Sequence, residues 1–253
     1  MKLPGWHMPE LIRPSWPAPA SVKAVSTTRL GGVSAPPWNS FNLAHHVEDD
    51  PAAVRENRRR LAEAAGLPGE PAWLDQVHGT RIAGEGARDC TADGRFTTVP
   101  GSVCAVLTAD CLPVLLCNEA GTAVAAVHAG WRGLLDGVIE AALDCFPDPP
   151  SAIMAWLGPA IGPDAFEVGD EVRQAFLQKQ PGSGEAFSAH GTGKWLADLY
   201  RLAAGRLKAR GVTGIYGGGY CTFTDSERFF SYRRDGRTGR MASLVWLDRG
   251  DDR

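Results

Sequence analysis

The chain of 253 residues is 44% hydrophobic and 22% charged, proportions that exclude an intrinsically disordered chain, a collagen-like repeat and a small disulfide scaffold. Its net charge of −3 offers no overall positive field for a polyphosphate backbone, so nucleic acid is not an expected partner. Six cysteines at this length, with no secretory leader visible in the proline-rich first twenty residues and no apolar run of membrane-spanning length, point to a cytoplasmic protein with free thiols and no membrane partner.

After an irregular segment over residues 1–20, residues 22–28 read as a strand. A turn-rich stretch, 30–40, leads to Asp49-Asp50-Pro51, where an acidic cap followed by proline at the first helical position starts a helix. Its inner face carries Val54, Leu61 and Ala65. Residues 79–101 are polar and weakly patterned and take no assignment. The run VCAVLTADCLPVLLCN (103–118) is aliphatic and β-branched, and 123–127 repeat that character, as suits strands covered on two faces. Leu134, Leu135, Val138, Ile139, Ala142 and Leu143 recur at helical spacing, which predicts one amphipathic helix over 131–145. Strands are expected at 152–157, 213–216 and 242–247, and helices at 169–178 and 194–209. These interspersed elements make the class α/β (α+β). Without linkers, repeats or shifts in composition, residues 1–253 read as one domain.

Three segments set a soft-metal ligand beside a core element: WLDQVHG (73–79), TADCLP (108–113) and VHAGWRG (127–133). A thiolate from Cys111 with imidazoles from His78 and His128 would suit Zn²⁺ and leave the fourth tetrahedral position for water or substrate. The spacing contains no CxxC pair and no HExxH. The same residues fit a cysteine nucleophile, with His128 as base to Cys111 and Asp110 or another polar group orienting the imidazole. A buried cysteine with two hydrogen-bonded histidines is the third reading. Residue type leaves all three open.

These segments belong to a longer series of blocks: STTRLGGVS (26–34), NSFNL (39–43), WLDQVHG (73–79), LTADCLPVLL (107–116), VHAGWRGL (127–134), LGPAIGP (157–163), FEVGDEV (166–172) and FFSYRRDGRTGRMASLVWL (229–247). In this order the chain resembles the YfiH-type polyphenol oxidase (laccase-domain) family, most closely its proteobacterial branch, over about residues 6–247. The resemblance implies a single-domain layered α-β-β-α sandwich with mixed sheets and one zinc bound by His78, Cys111 and His128. It also implies action on purine nucleosides: phosphorolysis of adenosine, inosine and methylthioadenosine, with adenosine deaminase activity. Its link to peptidoglycan editing supplies an alternative, a hydrolase of peptidoglycan-precursor amides, and a zinc-binding protein without turnover is the non-enzymatic one. A multicopper oxidase is disfavoured, because a mononuclear site plus a trinuclear cluster needs many histidines. The chain has six, with His7 in the irregular terminus and His190 in a polar loop.

With purine nucleosides and phosphate as partners, Asn42 and Gln76 are candidates to bond a purine edge or ribose. Arg29, Arg58, Arg132, Arg233 and Arg240 are candidates for the anionic co-substrate, since a guanidinium matches phosphate bidentately. Arg29, at the end of a strand, is preferred over Arg58 and Arg132 in helical segments and over the C-terminal pair. Phe166 could stack on a purine. His45-His46 and the triple glycine 217–219 read as structural.

Overall fold

Aliphatic runs too apolar for one exposed face need cover on both sides. The computed structural model, which describes residues 8–249, supplies it by stacking two sheets between two helical layers. In chain order, strands β1 (Leu11–Ile12) and β2 (Val22–Thr27) precede helix α1 (Pro51–Ala65). Strands β3 (Ile82–Ala83), β4 (Gly94–Thr97), β5 (Val103–Thr108), β6 (Leu112–Asn118) and β7 (Val124–Ala129) follow. Helices α2 (Trp131–Asp136) and α3 (Val138–Leu143) lead to β8 (Ile153–Leu157), β9 (Glu167–Gly169) and α4 (Asp170–Lys179). Then come β10 (Phe187–Ala189), β11 (Lys194–Ala197), α5 (Leu199–Ala209), β12 (Gly214–Gly217), α6 (Tyr232–Asp235) and β13 (Met241–Leu247).

The larger sheet has the order β12-β8-β6-β7-β4-β3 and is mixed, with β12/β8 and β3/β4 parallel and the central pairs antiparallel. The second sheet, β1-β2-β13-β5, is antiparallel throughout. A small sheet, β10-β11-β9, caps α4. Val106 and Val245 of one large sheet meet Leu115 and Trp156 of the other. Leu61 of α1, with Phe41 and Leu43, covers the outer face of the four-stranded sheet at Val25 and Leu244. Leu134, Ile139, Phe176 and Leu202 cover the six-stranded sheet at Val114 and Val127. The α-β-β-α layering implied by the resemblance is therefore present.

Local signals placed α1 correctly: the Asp50 carboxylate accepts the Ala52 N–H at 2.8 Å, and Gly66 closes the helix in the left-handed region at φ 63°. Four expectations need correction. The run 103–118 is two strands in different sheets, broken where Asp110 takes φ 89°. The helix over 131–145 is two helices, separated at Gly137 with φ 105°. Residues 194–197 form β11, paired on both sides, and α5 starts only after Asp198 caps the Arg201 N–H at 2.9 Å. Strand β1 lies within the segment read as irregular, and the unassigned stretch 79–101 contains β3 and β4. All six cysteines are free, and among the described residues no helix is long and apolar enough to cross a membrane.

Candidate metal centre and adjoining cavity

Cys111 sits where the chain leaves β5 of one sheet and enters β6 of the other. His128 is the penultimate residue of β7, in register with Pro113 two residues beyond Cys111. His78 reaches the same point from the loop before β3, with its backbone at φ 60°. The structure thus brings the three predicted ligands together, with one ligand atom from each lying within 4.8 Å of the others. Cys111 Sγ is 3.7 Å from His78 Nε2, and the two imidazoles meet edge to face with centroids 4.8 Å apart. Close approach depends on Gly130: a Cβ there would lie 2.8 Å from the His78 ring and 3.1 Å from Cys111 Sγ.

One carboxylate organises the group. Asp93, fully buried, accepts the His128 Nδ1–H and the His78 backbone N–H through Oδ1, each at 2.8 Å. Its Oδ2 accepts the backbone N–H groups of Gly79 at 2.6 Å and Val77 at 3.2 Å. Burial alone would raise this carboxyl, but the bonds from His128 and Gly79 hold it below the usual carboxylate range. The left-handed turn at His78 is thereby pinned, and the His128 ring is fixed with Nε2 free to face the cluster. Sequence reading missed Asp93 because it lies in the unpatterned stretch, and an Asp-Gly pair signals only a turn. Asp110, considered there as a partner for the imidazole, instead accepts the Thr222 hydroxyl at 2.7 Å and the Arg233 N–H at 2.6 Å.

Burial also opposes charge on Cys111, yet the neighbouring His128 and then His78 bring its thiol down to about 6. The reciprocal attraction of Cys111, aided by Asp93, outweighs burial at His128 and raises it to about 9. Cys104 and Cys117, buried without such partners, are pushed up to about 12. A poised thiolate between two imidazoles, one of them carboxylate-braced, is a donor set that fits a single transition-metal ion.

Beside Cys111 opens a cavity of about 210 Å³ walled by Trp131, Arg132, Ile161, Phe166 and Arg233. The Arg233 guanidinium lies 5.1 Å above the Phe166 ring and donates to the Glu167 carbonyl at 2.7 Å. A larger concavity of about 680 Å³ runs along the glycines 217–219, and none of the three ligands lines it.

The other candidate residues lie around this centre in different roles. Gln76 brackets the end of β5, donating to the Leu107 carbonyl at 2.8 Å and accepting its N–H at 2.7 Å. Asn42 is fully buried, with its amide N–H groups given to Ala44 O and Asp49 Oδ2 and its oxygen accepting from Ala44 and Arg240. A nucleoside contact would require that amide to give up a partner. Arg29 donates to the carbonyls of Asn39 at 2.9 Å and Ser226 at 3.1 Å and stacks on Phe230. Arg58 donates twice to the Leu43 carbonyl and lies 3.9 Å over the Trp73 ring. His7 lies outside the described residues.

Residues 23–248 match the family model described as multi-copper polyphenol oxidoreductase laccase. The chain belongs to this laccase-like family. Within it, a protein of Shigella flexneri named purine nucleoside phosphorylase YfiH is 57% identical over 243 residues, covering 95% of this chain and all of the relative. A Pseudomonas aeruginosa protein, also named a purine nucleoside phosphorylase, is 55% identical over 238 residues, 93% and 98% of the two chains. Among solved structures, Neisseria meningitidis protein NMB0706 superposes with a TM-score of 0.90 at 51% identity, over 94% of this chain and 99% of its own.

Proposed function

We propose that the chain is a zinc-dependent phosphorylase of purine nucleosides, with His78, Cys111 and His128 holding the ion. The observation that carries this is their convergence beside a cavity with aromatic walls, in a chain 55% and 57% identical to proteins named for that activity. One thiolate and two imidazoles, in a chain of six histidines, suit one ion better than the copper clusters in the family's name. When bound, zinc supplies Lewis-acid polarisation at the position the three ligands leave open.

Adenosine, inosine and methylthioadenosine are the proposed substrates, in the cytoplasm. Phe166 and Trp131 offer the purine its stacking surface, and Arg233 holds the Phe166 ring in place. An oxygen of hydrogen phosphate forms a bond to ribose C1′ as the C1′–N9 bond breaks. The bonding pair leaves with the purine, and the proton brought by the phosphate ends on the base. Since C1′ gains oxocarbenium character, correctly oriented negative charge lowers the barrier. Gln76, Asn42 and Arg29 hold the surrounding backbone in this scheme through their bonds to it. Adenosine deamination at the same centre, with water replacing the C6 amine and ammonia leaving, completes the proposal.

The test incubates metal-assayed protein with adenosine, inosine and a peptidoglycan precursor, with and without phosphate. Phosphate-dependent release of free base and ribose 1-phosphate is the expected result. Amide cleavage of the precursor without base release would replace this proposal by the hydrolase.

A further inference from the structure

A second hollow, about 520 Å³, adjoins the cavity beside Cys111, with Tyr232 bordering both. The metal-side cavity alone, about 210 Å³, falls short of the ~300–1,000 Å³ usual for small-ligand sites. A nucleoside and a second reactant therefore need both spaces. Arg240, His46 and Thr238 line the hollow, and Arg237 is paired with Glu48 at 2.9 Å on its rim.

Arg240 is braced from behind. Its backbone N–H goes to Asn42 Oδ1 at 2.9 Å, and its Nη1 donates to the carbonyls of Thr238 and Gly239 at 2.9 and 3.0 Å. Among the described residues neither Nε nor Nη2 has an acceptor, and no carboxylate pairs with this guanidinium. The Thr238 hydroxyl is buried with no partner. Arg240 is close enough for its charge to interact with Cys111, Asp110 and His46. Arg132 and Arg233, by contrast, are exposed, so water screens them, and Arg29 gives Nε and Nη1 to carbonyls, which leaves only Nη2 for a ligand.

We propose that this hollow is an oxyanion subsite that holds inorganic phosphate, with Arg240 as principal ligand, Thr238 and His46 as hydrogen-bonding partners and Tyr232 separating it from the nucleoside. As the phosphate subsite of the same centre, it rests on the phosphorylase proposal. A half-buried guanidinium with two unused nitrogens, Nε and Nη2, matches two oxygens of a tetrahedral oxyanion, and a partly desolvated pair is stronger than one at the surface.

The experiment titrates the metal-loaded full chain with inorganic phosphate, following binding by phosphorus NMR and by thermal shift, for the wild type and for Arg240→Lys, Thr238→Val and His46→Ala. Phosphate affinity should fall tenfold or more in Arg240→Lys and severalfold in the other two, while the nucleoside KM stays within about twofold. A 5′-mononucleotide should bind no more tightly than its nucleoside. His46 is exposed, so His46→Ala keeps the test alive if Arg240→Lys does not fold. Unchanged phosphate affinity in the folded variants would overturn the assignment. So would a mononucleotide held more tightly through Arg240, which would make the hollow a site for a phosphate carried by the substrate. Arg240-dependent phosphate binding without release of base would keep the subsite and reject the phosphorylase.

Discussion

Asp93 and His128 are joined at two levels: the Asp93 carbonyl accepts the His128 backbone N–H at 2.7 Å, and the Asp93 carboxylate accepts the ring Nδ1–H at 2.8 Å. The backbone bond fixes the distance, and the side-chain bond fixes the tautomer. Asp93→Asn keeps the size but places an NH₂ against backbone N–H groups that now find a carboxylate oxygen. Metal affinity should drop about 10- to 100-fold, read by competition with a chelator. A variant that binds metal as tightly as the wild type would show that Asp93 only supports the loop.

In metal-free protein with the exposed Cys90 and the partly exposed Cys145 and Cys221 replaced by serine, Cys111 should be the one reactive thiol. Cys111, with its thiol near 6, is mostly thiolate at neutral pH, so its alkylation rate should rise with pH through about 6 and level off above 7. Cys104 and Cys117, near 12, should remain unmodified over that range. Mass spectrometry locates the label, and added zinc should protect Cys111. Equal labelling of buried and site cysteines would contradict the electrostatic coupling of Cys111 to His128.

Gly130→Ala tests how tightly the ligands are packed. The added methyl meets the His78 ring at 2.8 Å and Cys111 Sγ at 3.1 Å, so one ligand must move. Metal content should fall sharply, while circular dichroism and cooperative unfolding remain close to wild type, because the clash is confined to the site. Full metal occupancy in this variant would show that the site has slack.

Asn42→Ala should act on stability rather than on substrate. It strands buried groups on Ala44, Asp49 and Arg240, at ~1–3 kcal/mol for each group left unsatisfied. A total near 3 kcal/mol lowers Tm by roughly 6–12 °C in a chain of this size. A selective rise in nucleoside KM at unchanged Tm would restore Asn42 as a substrate contact.

Much of this was legible in the sequence because its causes are local. The Asp50-Pro51 start of α1 and the strand character of 153–157 and 241–247 follow from capping and apolar runs. The residue types of His78, Cys111 and His128 admitted a soft-metal site, a cysteine nucleophile or a buried structural cluster, without deciding among them. Tertiary structure decided the rest. Asp110 breaks 103–118 because two stacked sheets each need one half of it, and residues 194–197 become a strand because two neighbours offer hydrogen bonds that outweigh helical spacing. Asp93 joins His128 only because β4 and β7 pair in one register, across 35 positions of sequence. The saturation of Asn42 and the open guanidinium edge of Arg240 were likewise invisible, since whether a polar group is spent depends on distant backbone brought within about 3 Å. Composition and spacing determine which atoms are available, but only the fold decides which of them remain free for a ligand.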